Sequence, residues 1–295
     1  MDTQYFEGRP LTITGRILRT ATVRDEPYEC LVQPEGFVSR LKKAGFKADL
    51  FSFMQEICDR TPRYPFHLEW ESLAVVPITT YETWLKKQIN DKTRNLVRKA
   101  QKNGVEIRRT DLTDEFVRGV VEIYNETPVR QGKPFKHFGK DFETIKRELS
   151  TFPDRSDFLG AFWNGELIGF VKVVWGRDVA SLMHILSKIG RRDKAPTNGL
   201  VGRAVEVCAE RKIPALHYSV WSKGGLGDFK RHHGFIRHET PRYFVPLNLR
   251  GEVMLKLKLH RKLVDVIPEG WADQLILLRN KFSYLRHPAK TVPGQ

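Results

Sequence analysis

Residues 158–175 read FLGAFWNGELIGFVKVVW, and this stretch decides the fold class. Two β-rich apolar runs, Phe158–Trp163 and Glu166–Trp175, flank Asn164-Gly165. Asn and Gly both tolerate the positive φ of a tight primed turn, so the pair predicts a β-hairpin. Ala180–Lys188 follows as a third strand. A polar loop, Gly190-Arg191-Arg192-Asp193-Lys194-Ala195-Pro196-Thr197-Asn198-Gly199, then opens a helix over Leu200–Arg211. Ile213–Val220 reads as a strand, Asp228–His233 as a short helix and Tyr243–Leu247 as a last strand. A loop that runs from a strand into a helix presents unpaired amides at the positive end of the helix dipole. Arg191, Arg192 and Lys194, with Thr197 and Asn198 as caps, therefore form a candidate anion site.

Upstream, the pattern predicts strands at Leu11–Thr22 and Tyr28–Gln33 joined by the polar turn Arg24–Pro27. Helices are expected near Glu35–Ala44 and Leu50–Asp59, and a strand at Glu71–Ile78. A long helix starts at Thr79 or Thr80 and closes at Asn103-Gly104. Its apolar stripe (Trp84, Leu85, Ile89, Leu96, Val97, Ala100) opposes a basic face of Lys86, Lys87, Lys92, Arg94, Arg98, Lys99 and Lys102. Val105–Arg108 is a short strand, Phe116–Thr127 and Phe142–Leu149 are helices, and Val129–Lys140 is a structured, aromatic and basic loop. His184 is expected to share a strand face with Leu182 and Leu186, as a core histidine. Beyond Gly251 the chain reads as a basic helical tail, interrupted at Pro268.

The chain has 295 residues, 40% hydrophobic and 11% aromatic, which is the composition of a folded globular protein. Its three cysteines, Cys30, Cys58 and Cys208, lie far apart without CxxC spacing, arguing against a disulfide framework or thiolate zinc site. His232-His233 lacks metal-ligand spacing, so no metal is expected. No apolar run is long enough to cross a bilayer. A cytoplasmic protein is expected, its tail (with Trp271, Leu275, Leu278 and Phe282 on the apolar side) either docked on the protein's own core, the favoured reading, or in peripheral contact with the inner face of a membrane. The net charge of +15 favours anionic partners: nucleotide phosphates, tRNA, acidic glycans or small-molecule anions.

Three segments carry a resemblance to a known group. NLVRKAQKNGV (95–105), PTNGLVGRAVEVCAERK (196–212) and LGDFKRHHGF (226–235) occur in the order found in GNAT-superfamily acyltransferases, and are similar to the FemAB-like branch related to peptidoglycan-bridge transferases. The resemblance spans roughly residues 79–247. It implies an α/β fold with a GNAT-like mixed, mostly antiparallel sheet flanked by helices. A smaller N-terminal GNAT-like half (1–78) would precede the transferase domain (79–250), and the helical tail (251–295) would follow. The implied donor is acyl-CoA, acetyl-CoA first among the candidates, lying on Arg191, Arg192, Lys194, Thr197, Asn198 and Phe229. Residues 189–199 lack the Gly-x-Gly or Gly-x-Ala pyrophosphate signature, which keeps the donor open.

The resemblance also places Lys230 beside the reacting carbonyl, where an ammonium would stabilise oxyanion charge. From the residues themselves, Glu126 and His137 are alternative general bases, and Arg130 is a candidate for an acceptor carboxylate or phosphate. Tyr218 and Trp221 are candidates to line the acyl channel. Three functions follow: acyl transfer from acyl-CoA to an amine or hydroxyl of a glycan or cell-envelope precursor, aminoacyl-tRNA-dependent transfer, or a non-catalytic basic binding module.

Overall fold

The computed structural model describes residues 2–261. The strands, in chain order, are β1 (Asp2–Phe6), β2 (Arg9–Thr14), β3 (Thr20–Val23), β4 (Leu50–Met54), β5 (His67–Pro77), β6 (Glu106–Thr110), the small pair β7 (Val129–Arg130) and β8 (Lys133–Pro134), β9 (Ser156–Trp163), β10 (Glu166–Trp175), β11 (Ala180–Ser187), β12 (Ala215–Val220) and β13 (Ile236–Pro246). The helices are α1 (Pro34–Lys43), α2 (Tyr81–Thr83), α3 (Asp91–Lys102), α4 (Asp114–Asn125), α5 (Phe142–Leu149), α6 (Pro196–Glu210), α7 (Gly224–His232) and α8 (Leu249–Lys256). A π-helical turn, Trp84–Gln88, extends α2.

All strands except β7 and β8 join one eleven-stranded sheet in the order β1-β2-β3-β4-β13-β5-β12-β11-β10-β9-β6. It is a mixed, mostly antiparallel sheet flanked by helices. Its two parallel pairs are β3 with β4 and β11 with β12. Each follows the same path: hairpin, helix (α1 or α6), then a strand parallel to the hairpin's second strand. The last strand, β13, inserts between β4 and β5 and pairs antiparallel with both.

Around β9–β12, α3 and α6 cover one face through Val97, Ala100, Leu200, Val201 and Ala204, while α4 and α5 cover the other through Phe116, Val120, Ile123 and Ile145. α1 covers the β2–β4 region. Gly199 lets α6 settle onto its neighbours: a Cβ there would overlap Ile107 Cδ1 and stand 3.0 Å from Ala100 Cβ. Gly199→Leu should therefore cost about 1–3 kcal/mol of stability through overpacking, read as a lower midpoint in a urea melt.

Several expectations change. Leu50–Asp59, read as helical, begins as the strand β4, every residue of which is buried. A non-alternating apolar run such as LFSFM fits a helix or a strand buried on both faces, and periodicity does not separate them. Tyr28–Gln33 forms no strand, and the N-terminal hairpin turns at residues 15–19 rather than at Arg24–Pro27. The long helix from Thr80 is broken at Ile89, which is extended, and restarts where the Asn90 side chain accepts from Thr93 N at 2.8 Å. The loop before α6 is largely a 3-10 turn, Ile189–Lys194.

His184 does not share a face with Leu182. The β10–β11 register shifts so that Lys172 opposes His184 while Val173 opposes Leu182. This bulge turns Leu182 toward α6, and Leu186 toward α4. The helical pattern of the tail beyond Arg261, including Pro268 and Trp271–Leu285, lies outside the described residues. Among the described residues no helix is long and apolar enough to cross a membrane.

Candidate active site

β11 and β12 run parallel but pair only at Ala180↔Leu216 and Ser181↔His217, after which they separate. One residue before the end of β12, Ser219 has a φ of 56°, which bends the backbone out of strand geometry. The gap opens toward the carboxyl ends of both strands, where ligands collect in α/β sheets. Its rim is built from the start of α6 and from α7.

Lys230 on α7 stands at this gap with 0% exposure. Its Nζ donates to Val220 O at 2.6 Å and to Ser222 Oγ at 3.1 Å, and lies 4.8 Å from the Tyr218 ring centroid. No carboxylate among the described residues pairs with it. Burial without a counter-charge lowers its pKa to about 8. Two of its three N–H donors are anchored, which leaves one above Tyr218. The neighbouring Phe229 ring stacks on His233 at 4.1 Å, and His233 Nε2 meets Asn198 Nδ2 at 3.1 Å. Thr197 and Ser187 hydroxyls bond at 2.7 Å. The structure therefore brings Lys230, Tyr218, Phe229, Thr197 and Asn198 to the rim of one gap. Trp221 packs on the core beneath and donates its backbone N–H to Ser72 O at 2.7 Å.

The loop after β11 is tied internally. Glu126, at the end of α4, accepts from Ile189 N at 2.6 Å and from Gly190 N at 2.8 Å. It also accepts from Arg130, whose guanidinium donates to Ser187 O at 2.8 Å and Ile123 O at 2.7 Å. Arg191 bonds Glu166 at 2.9 Å and stacks over Trp163, Lys188 bridges Glu122 and Glu166, and Lys194 pairs with Asp193. Arg192 is exposed. Glu126 and Arg130 thus act as braces of the loop backbone.

His137 sits apart, against the Tyr124 ring at 4.6 Å and the His184 ring at 6.2 Å. Its Nδ1 lies 3.0 Å from Lys140 Nζ, itself paired with Glu148. Burial lowers the pKa of His137 and of His184 to about 4, so both imidazoles are neutral near pH 7.

A cavity of about 660 Å³ lies elsewhere, and Lys230 is not among its lining residues. It lies between residues 27–32 and 56–58 on one side and 152–155 and 174–181 on the other. Tyr28, Phe152, Arg155, Asp154 and Ser181 are among its walls. Ser181 Oγ on its floor lies 3.1 Å from His217 Nδ1, and His217 Nε2 is buried without a partner. Burial pushes the Tyr28 phenol well above its ordinary value, with Asp25 and Tyr218 adding to the shift. Tyr28 itself packs against Phe152, with ring centroids 5.9 Å apart. Among the described residues, two buried lysines lack a carboxylate partner: Lys230 beside the gap, and Lys172, whose Nζ donates to Leu149 O at 2.7 Å and lies 5.9 Å from the ring centroid of the cavity residue Phe152. Residue types did not reveal Tyr28, Ser181 or His217, which are single polar residues in strand or loop sequence. His67, Glu69 and His260 also cluster, but Glu69 Oε1 already accepts from His260 Nε2 at 2.8 Å and from Arg261 Nε at 2.9 Å.

No protein-family model matches the sequence, and no curated protein is similar to it in sequence. Solved structures do share its fold. The C-terminal domain of a protein assigned as a lysylphosphatidylglycerol synthetase, from Agrobacterium fabrum, is 13% identical, with a TM-score of 0.56 over 87% of this chain and 86% of that one. FemX is 12% identical, with a TM-score of 0.54 over 84% and 86% of the two chains. L-PGS from Bacillus licheniformis is 13% identical, with a TM-score of 0.53 over 85% of each. At these identities the likeness establishes the fold alone, a mixed, mostly antiparallel sheet flanked by helices that this chain shares with FemX.

Proposed function

We propose that this chain transfers an aminoacyl or acyl group to an amine or hydroxyl of a cell-envelope precursor, with the donor carbonyl placed in the β11–β12 gap. The observation that carries this reading is Lys230, a buried cation with no counter-charge at the mouth of the separated parallel pair. The shared fold with FemX and with the domain assigned to a lysylphosphatidylglycerol synthetase supports the reaction class by analogy. The acceptor's nitrogen or oxygen attacks the carbonyl carbon, and the oxyanion forms against the free Nζ–H of Lys230. The acceptor's proton is relayed through water, because His137, packed against Tyr124 and His184, sits apart from the gap. Collapse breaks the donor's ester bond, and that proton then goes to the departing oxygen.

Glu126 decides which donor we favour. Its carboxylate occupies the Ile189 and Gly190 amides, two donors of the loop between β11 and α6 that a donor pyrophosphate bound to this loop would need. An acyl-CoA would have to displace it, whereas an aminoacyl-tRNA is held by charge along its backbone. Lys87, Lys92, Arg98, Lys99 and Lys102 are exposed on and just before α3, which packs beside α6. With a net charge of +15, this face favours tRNA. Aminoacyl-tRNA should therefore bind with an affinity that falls steeply with salt, and coenzyme A should leave the melting temperature unchanged. In Glu126→Ala the amides are free, and coenzyme A should begin to stabilise the protein. Stabilisation of the unmodified chain by micromolar coenzyme A, with turnover of an acyl-CoA, would restore the CoA-dependent reading.

A further inference from the structure

α8 displays apolar side chains to solvent in a regular stripe. Leu249, Val253 and Leu257 recur four residues apart, on one side of the helix and its C-terminal turn, and are 78%, 50% and 63% exposed. The opposite side is the docked one: Gly251 and Met254 are buried there. A Cβ on Gly251 would overlap the Asp49 carbonyl, so only glycine lets the helix lie this close. The Asn248 side chain caps the helix, accepting from Gly251 N at 3.0 Å, and donates to Asp49 Oδ1 at 3.2 Å. α8 is thus held rigidly with its apolar stripe outward.

The tip of the β2–β3 hairpin adds to this surface. Arg250 Nη2 donates to Ile17 O at 2.7 Å, joining the tip to α8, and the Ile17 side chain is 78% exposed. Cations surround the apolar groups: Arg16 on the tip, and Arg250, Lys256 and Lys258 on or just after the helix, are all exposed. Glu252 is the one carboxylate on α8. Apolar side chains presented at this level, ringed by long basic side chains that reach past them, match an anionic bilayer, whose headgroups meet the cations while the apolar tips enter the acyl boundary. An acidic protein partner would meet the charges but not a convex ridge of separate aliphatic tips.

We infer that α8 and the β2–β3 tip form a docking surface for an anionic lipid membrane. The surface is independent of the β11–β12 gap, so its test does not depend on the transferase reading. The full chain is sedimented with vesicles of phosphatidylcholine alone or of equal parts phosphatidylcholine and phosphatidylglycerol. Binding is expected only to the mixed vesicles and should weaken as salt rises. Leu249→Glu with Val253→Glu should lower the partition coefficient by about ten-fold or more. Ile17→Glu, on a different element, should lower it as well. All three positions are half or more exposed, so unchanged circular dichroism melts are expected and would separate lost binding from lost folding. The inference is overturned if the parent chain stays in the supernatant with mixed vesicles, or if the variants sediment like the parent. It is overturned in favour of a second copy of the chain if, without lipid, the parent is dimeric and the same substitutions make it monomeric.

Discussion

Lys230→Ala is expected to lower turnover by about 10²–10³-fold, the usual cost of removing one preorganised donor to an oxyanion. The loss should fall on kcat, with KM changed little, because the interaction strengthens only as charge develops. Since Lys230 also holds Val220 O and Ser222 Oγ, the variant will lose some stability, and activity loss alone would not separate the two roles. The pH dependence does. With its pKa lowered to about 8, Lys230 should lose its ammonium, and the enzyme its turnover, as pH rises through that value. Stability should move the other way. A lysine whose folded pKa lies below its unfolded value of about 10.4 penalises the folded state below the folded pKa, and this penalty fades as pH rises toward the unfolded value. Turnover that falls above about pH 8 while this contribution to stability rises supports a catalytic ammonium. A flat rate profile through that range, or an alanine variant with intact kcat, removes Lys230 from the chemistry.

The largest stability effect is expected at Arg242. This buried guanidinium pairs with Glu26, bonds Glu71 at 2.6 Å and Ser52 Oγ at 3.1 Å, and so ties the segment beside the large cavity to β13 and β5. Burial pushes the Glu26 carboxyl up, against the pull of Arg242 and of the Met54 amide. Arg242→Leu strands two carboxylates, one of them buried, and should cost about 3–5 kcal/mol. For a chain of this size that is a fall in Tm of roughly 10 °C. The sign with pH is fixed by the raised carboxyl. An unpaired buried Glu26 costs stability above its folded pKa, and protonation relieves the cost as pH falls, so the deficit against the parent should be smaller at acidic than at neutral pH. Equal deficits at both pH values would show that lost packing dominates.

Much of the stretch from residue 156 to residue 232 was legible because its signals are local. Asn164-Gly165 lies between β-rich apolar runs, and β9 and β10 pair around it as expected. β11, α6 and α7 fall close to their expected places because period and turn chemistry act within a few residues. Where pairing is non-local, the reading stopped. β13 inserts between β4 and β5, and nothing in YFVP distinguishes that place from an outer edge. β4 was misread because both of its faces are buried. His184 changed sides because one bulge residue, invisible to a period of two, lies between Leu182 and His184.

The candidate site divides along the same line. Sequence alone determined an α/β chain of strong positive charge, the hairpin over Phe158–Trp175, and the basic loop that leads into α6, since composition and short-range periodicity suffice for these. Only the tertiary structure decided what that loop does. Glu126 reaches its amides from 63 residues away, Glu166 takes Arg191, and Lys230 is left as the buried cation without a counter-charge beside the β11–β12 gap. Which charges meet and which stay unpaired follows from strand order and register, and these are set by burial over the whole sheet rather than by any segment read by itself.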